Sequence, residues 1–367
     1  MAAVRTIAVT NQKGGVGKTT TVANLGAALA RRGVKVCLID LDPQAHLTMH
    51  FGIDPSGLSY SMYDVLTSDL PLSRATRPAD TNLTLVPSVI DLAAAEVELA
   101  GAVGREQILA DRIAAEDLGF DLIMADCPPS LSLLTLNALA AVREVFIPLQ
   151  PHFLALQGLG KLLETVSLVQ RRINAALRVG GIVFCLYETS TRLAAEVIED
   201  VRSFFASARE SQPAWSGTRI FETRIRRNIK LAECPSYGTT IQQYDPSSRG
   251  AADYAALCEE FLACWPSESA PAHLREVVSR AAVEREAAAQ AEREAAEADA
   301  QAPEAPGPTE APSPPAREAP PAPEPPEHPR PPSEPRPPDV QAPADDAQSA
   351  PDARAPRPPA HDRTGTP

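Results

Sequence analysis

The sequence predicts an α/β protein: a mostly parallel twisted sheet with helices on both faces, followed by a helical extension and a disordered, Pro-rich tail. Three observations predict it. Residues 1–266 alternate short apolar runs with longer segments whose apolar residues recur every three or four positions; that rhythm builds βαβ units and a sheet covered on both sides. The first apolar run leads directly into a glycine-rich turn and a helical pattern. After Trp265-Pro266 the composition shifts to Ala, Glu and Arg, and from Gln301 to Pro, Ala and Glu without periodicity.

The strand runs, in order, are Thr6–Thr10, Val34–Asp40, Leu83–Val86, Asp121–Asp126, Glu144–Leu149, Gly181–Tyr187 and Arg219–Phe221. Helical patterns between them include Thr19–Arg31, Leu156–Ala175 and Leu193–Ala206. Residues 1–266 are long enough to bury a single core and read as one domain. Residues 267–300 form the extension, whose composition from Ala272 on favours helix. Leu274, Val277, Val278 and Ala281 share one helical face, enough to dock one or two turns. A chain cut after about Ala270 is expected to fold. Residues 301–367 hold 23 of the 37 prolines; such a segment buries too little apolar surface to offset its ordering entropy.

Charge and cysteine content exclude several classes. The 367 residues carry 34 basic and 47 acidic side chains, net −13, which argues against wrapping nucleic acid by bulk charge but leaves room for a local basic patch. No run of eighteen apolar residues exists, so no membrane-spanning helix is expected. Val4–Thr10 reads as a strand, not as the apolar region of a signal peptide. The six cysteines are scattered without a C-x-x-C pair, which argues against a zinc ribbon or a thioredoxin-type site and for reduced thiols in the cytoplasm.

The strongest motif is Lys13-Gly14-Gly15-Val16-Gly17-Lys18-Thr19-Thr20, between the first strand and the first helix. Glycines let backbone N–H groups turn toward a phosphate, and the helix N-terminus adds partial positive charge. Lys18 is placed to reach β/γ-phosphate oxygens and the Thr19 hydroxyl to ligate Mg²⁺. These features predict a phosphate-binding loop that takes a nucleotide with Mg²⁺, although Gln12 stands where the usual loop has its first glycine. Asp40 and Asp42 close the second strand, at the sheet end where ligands of open α/β folds bind. Asp126 closes an apolar strand, as a metal-holding Walker B acid does.

The second lysine, Lys13, makes the loop resemble the deviant Walker A of the ParA/MinD family, in particular the ParA/Soj-type partition ATPases. Further blocks carry the resemblance: Asp40-Leu41-Asp42-Pro43-Gln44, Asp126-Cys127-Pro128-Pro129-Ser130, Ile147-Pro148-Leu149-Gln150, Ala155-Leu156-Gln157-Gly158-Leu159, Arg226 to Gly238 and Tyr244 to Ala251. It spans residues 4–262 and omits the tail. The resemblance implies that Lys13 reaches a dimer partner's nucleotide, that Asp42 positions the attacking water, that Asp40 supports the Mg²⁺ shell or its loop, and that Asn228 faces the adenine. It further implies an ATP-dependent homodimer that binds double-stranded DNA without sequence preference, a ParB-like stimulating protein, slow hydrolysis and a nucleoid location.

For DNA, Arg227 matches the family's P-R-N arginine and stands in a local basic cluster with Arg219, Arg224, Arg226 and Lys230; Arg192 is a separate candidate two residues after Ser190, and Arg171, Arg172 and Arg178 form a smaller cluster. Two departures stand out. Arg226 replaces the family's proline, and Ser190 replaces a DNA-contacting arginine. The extension lacks the bulky apolar residues of a membrane-docking helix, and the tail reads as a solvated spacer, with Pro312–Pro315 as an alternative docking motif. Two other readings share the scaffold: a positioning ATPase acting on a protein or membrane target without DNA, and a metabolic ligase or reductase.

Overall fold

In this computed structural model residues 4–188, 192–208, 214–266 and 270–300 are described. Each apolar run becomes a strand, and one strand is added: β1 (Arg5–Val9), β2 (Val36–Asp40), β3 (Arg77–Asp80), β4 (Leu83–Val86), β5 (Leu122–Asp126), β6 (Glu144–Leu149), β7 (Arg178–Tyr187) and β8 (Arg219–Arg226). They form one sheet in the order β3-β4-β2-β5-β1-β6-β7-β8. Every pairing is parallel except β3–β4. The added strand, β3, is an edge strand with Pro78 inside it and a register shift beside that proline. Its residues are all exposed or half-buried, so it carries no apolar run that a sequence reader can find.

The strands are buried on both faces because helices cover both. On β2, Cys37 and Ile39 join one core cluster while Val36 and Leu38 join the other; on β5, Ile123 and Ala125 oppose Leu122 and Met124 in the same way. This is the two-residue alternation of a strand, with both sides apolar. The helix Lys18–Arg31 lies so close to β2 that a Cβ on Gly26 would come within 2.8 Å of Leu38 Cδ2. That helix carries the end of the glycine-rich loop, Lys18 to Thr20, so its close seat on the sheet fixes the loop's position.

The extension forms the helix Arg275–Ala300. Leu274, Val278 and Ala281 are nearly fully buried and share a cluster with Phe261 and Trp265 of the preceding segment. Arg285 pairs with Glu260 at 3.0 Å, and His273 Nε2 lies 3.1 Å from Asp121 Oδ2. The docked face is the one the spacing predicts. The tail, residues 301–367, lies outside the described residues. Among those described, no helix is long and apolar enough to cross a membrane.

Candidate active site

The loop between β1 and the first helix needs glycine at two positions, Gly15 (φ 72°) and Gly17 (φ 92°), both left-handed. The first turn of the helix Lys18–Arg31 has no capping side chain and no acidic residue. Its N–H groups therefore point at a space without a protein acceptor, which is where an anion docks. Lys18 is buried, and its ammonium donates to the Lys13 carbonyl at 3.3 Å. Burial lowers its pKa, while Asp126, Cys127 and Asp42 act to raise it.

Two carboxylates at the strand ends behave differently. Asp40 is fully buried and satisfied: Oδ1 accepts from Asp42 N (3.1 Å), and Oδ2 accepts from Thr48 N (2.9 Å) and the Thr48 hydroxyl (2.7 Å). It ties the loop after β2 to the helix His46–His50. Asp126 is equally buried, yet neither of its oxygens has a hydrogen-bond partner. Burial, then the Asp40 charge, pushes its pKa well up; Thr19 and Lys18 pull it back. An orphaned carboxylate beside a threonine hydroxyl fits a hard divalent cation. Asp42 is half-buried, and its Oδ1 accepts from Gln44 N at 2.9 Å.

A cavity of about 660 Å³ takes in the loop and Asp42; Asp40 and Asp126 do not line it. Of the residues predicted from sequence, Gly14, Gly15, Gly17, Lys18, Thr19, Thr20, Asp42 and Asn228 line it. The Val16 side chain is buried in the core, leaving only its backbone for the loop. Asn228 caps the helix Ile229–Glu233, accepting from Lys230 N at 2.8 Å. Lys13 is exposed and is absent from the lining: its ammonium meets Gln150 Oε1 (3.4 Å) and His152 Nε2. Sequence reasoning did not find His46 and His50, which line the cavity four residues apart on one helix, nor Pro235 and Ser236. The last two sit in a block already matched to the family, which was the available signal.

The predicted basic cluster divides. Arg224 stacks on the Tyr187 ring (4.8 Å) and donates to its hydroxyl (3.0 Å). Arg227 pairs with Glu188 at 2.9 Å, both exposed, and Lys230 with Glu233 at 3.0 Å. Arg192 is exposed at the start of the helix Arg192–Ala208. Arg226 forks onto Asp253 with contacts of 2.5–3.1 Å, and its backbone N–H donates to the same carboxylate at 2.9 Å. A proline there has no N–H to give, so Asp253 absorbs the departure. Arg219 lies at the opposite end of β8, about 23 Å away for an eight-residue strand. Ser190 lies outside the described residues.

Comparison with known proteins shows the family. A family model described as an AAA domain matches residues 4–179. The sporulation initiation inhibitor protein Soj of Bacillus subtilis is 43% identical over 260 residues, covering 70% of this chain and 98% of that protein. The chromosome-partitioning ATPase Soj of Treponema pallidum is 44% identical, covering 71% and 97%. A Mycobacterium smegmatis structure named as a cobyrinic acid a,c-diamide synthase, with bound ADP and magnesium, is 39% identical with a TM-score of 0.60, covering 72% of this chain and 96% of that one. MinD of Pyrococcus horikoshii with Mg-ADP shares the fold at a TM-score of 0.55 and 24% identity, over 71% and 96%. With a two-lysine phosphate loop, an orphaned Asp126 above it, and relatives matched over nearly their whole length, the chain belongs to the ParA/Soj family of P-loop partition ATPases.

Proposed function

We propose that this protein is an ATP-driven switch: it binds ATP with Mg²⁺, dimerises, holds double-stranded DNA without sequence preference, and lets go after slow hydrolysis that a ParB-like partner stimulates. Such a switch positions a chromosome, plasmid or other cargo on the nucleoid, in the cytoplasm. The observation that carries the reading is the direction of the two lysines. Lys18 is buried at the floor of the cavity; Lys13 is exposed and turned away from it, toward Gln150 and His152. A lysine outside its own cavity is available to a second copy.

The residues have separable tasks. Lys18 and the loop N–H groups hold the β- and γ-phosphates. Mg²⁺, held by Thr19 and Asp126, would supply neutralisation of phosphate charge. Asp42 orients a water in line with the γ-phosphate, and Lys13 adds positive charge from the partner. In-line attack of this kind is accelerated by placement and charge, without a covalent step. Asn228 holds the base side of the cavity.

The DNA side rests on Arg227, Arg224, Lys230 and Arg192. The exposed pair Arg227–Glu188 contributes about 0–1 kcal/mol, so a DNA phosphate competes with it readily. The ligase reading suggested by the mycobacterial name finds less support. Cys185, the cysteine in the cavity lining, is buried with its thiol pushed up to about 12, a poor nucleophile.

The test is binding to random-sequence duplex DNA with ATP, with ADP and without nucleotide, at two salt concentrations. The expected result is ATP-specific binding that salt weakens, as counterion release requires. Failure to bind in every state would overturn the DNA reading and leave a protein surface as the target.

A further inference from the structure

The opposite rim of the sheet carries a second polar cavity, of about 120 Å³. Four adjacent strands, β1, β6, β7 and β8, begin there with Arg5, Glu144, Arg178 and Arg219, and all four line it. The nucleotide cavity sits at the other ends of parallel strands, so the two are separated by the sheet.

The charges do not cancel. Glu144 is buried and already shared: Oε1 accepts from Arg5 Nε (3.2 Å) and Arg178 Nη2 (3.2 Å), and Oε2 from Arg5 Nη2 (3.0 Å). Arg219 has no acidic partner among the described residues. Arg5 is 11% exposed, packed over the Phe261 ring at 4.2 Å and the Trp265 ring at 5.1 Å. Its Nη1 is buried without a hydrogen-bond acceptor. Among the described lining residues, three guanidinium groups face one carboxylate. The cavity's volume equals that of about four waters, which matches one small oxyanion. Glycine keeps it open: a Cβ on Gly180 would fall 2.6 Å from Glu144 Oε2.

We propose that this rim is a binding site for a small tetrahedral oxyanion of the phosphate or sulfate class, held by Arg5, Arg178 and Arg219 and independent of the nucleotide cavity. Guanidinium forks suit such an ion, pairing two N–H groups with two oxygens.

Trp265 reports on the site, because Arg5 lies against its ring. The experiment uses the full chain carrying Trp215→Phe, saturated with Mg-ADP, titrated with potassium phosphate and, separately, with potassium chloride at matched ionic strength. The expected result is a saturable change in Trp265 emission with phosphate, reproduced by sulfate and absent with chloride. Arg219→Ala and Arg178→Ala, both at exposed side chains, are expected to weaken it at least about ten-fold. Phosphate that enters beside ADP in the other cavity is insensitive to these two substitutions. A response unchanged by both, a response that chloride reproduces, or no saturation would each overturn the proposal.

Discussion

Asp40 and Asp126 are neighbours in register at the ends of β2 and β5, and neither is exposed to solvent. One receives three hydrogen bonds and the other none. The Asp40 network extends further, since the Thr48 hydroxyl that donates to Asp40 also accepts from Ser88 N at 2.9 Å. Strand-end position therefore does not tell a structural acid from a ligand-binding one; satisfaction does. A buried carboxylate that the protein leaves unpaired has the capacity to take a cation, the role proposed for Asp126. One that the protein pairs fully is fixing a loop, here the loop that presents Asp42.

The largest expected effect lies with the cation that faces the orphaned acid. Lys18→Ala removes the charge that partly offsets Asp126 and the group proposed to hold phosphate. ATP affinity is expected to fall by about 100-fold or more, roughly 3 kcal/mol, read by calorimetric titration. Affinity within a few-fold of wild type would mean that the loop binds through its backbone alone. Next is Asp126→Asn, which keeps shape and removes charge. Hydrolysis is expected to fall by about 10², while the nucleotide-free protein melts no lower than wild type, because the carboxyl has no hydrogen bond to lose. Asp40→Asn has the reverse profile. It spoils a three-bond acceptor and should cost about 2 kcal/mol in urea unfolding of the nucleotide-free protein. Equal destabilisation by the two asparagines would break the distinction between them.

Most of the fold was legible because apolar runs buried on both faces leave a strong signal. The runs Leu83–Val86 and Glu144–Leu149 match β4 and β6 residue for residue. β3 was not legible, for the physical reasons that make it an edge. The extension was half legible. The face of Leu274, Val278 and Ala281 follows from helical spacing, but its partners Phe261 and Trp265 do not. Burial of that face predicts that a cut after Ala270 lowers the melting temperature by several degrees, whereas a cut after Ala291 leaves it unchanged. At the site, the loop glycines and lysines could be read directly, because motif spacing and backbone chemistry coincide. The role of Asp40 could not, since Thr48 reaches it from eight residues away. Nor could the division of the arginines, because residues close in sequence on an eight-residue strand lie at opposite rims.

His50 extends the comparison to a base. It is buried on the helix that Thr48 anchors, lines the nucleotide cavity, and its Nε2 has no hydrogen-bond partner. Asp126, unpaired, has Lys18 nearby to offset its charge; His50 avoids the problem by staying neutral, with burial pushing its pKa down to about 4. The unfolded chain takes up the proton near 6.5, so the unfolded state binds more protons between about pH 6.5 and 4 and stability falls as pH drops through that window. Above pH 6.5 the group has no effect. From pH 6.5 to 5.5 the loss from this residue alone is expected to be about 1 kcal/mol. His50→Leu removes it, so urea unfolding of the variant should depend less on pH by that amount across the same step. Parallel curves for the two proteins would mean that His50 finds a partner or water in solution, and that an orphaned polar atom in this cavity is no guide to what the cavity binds.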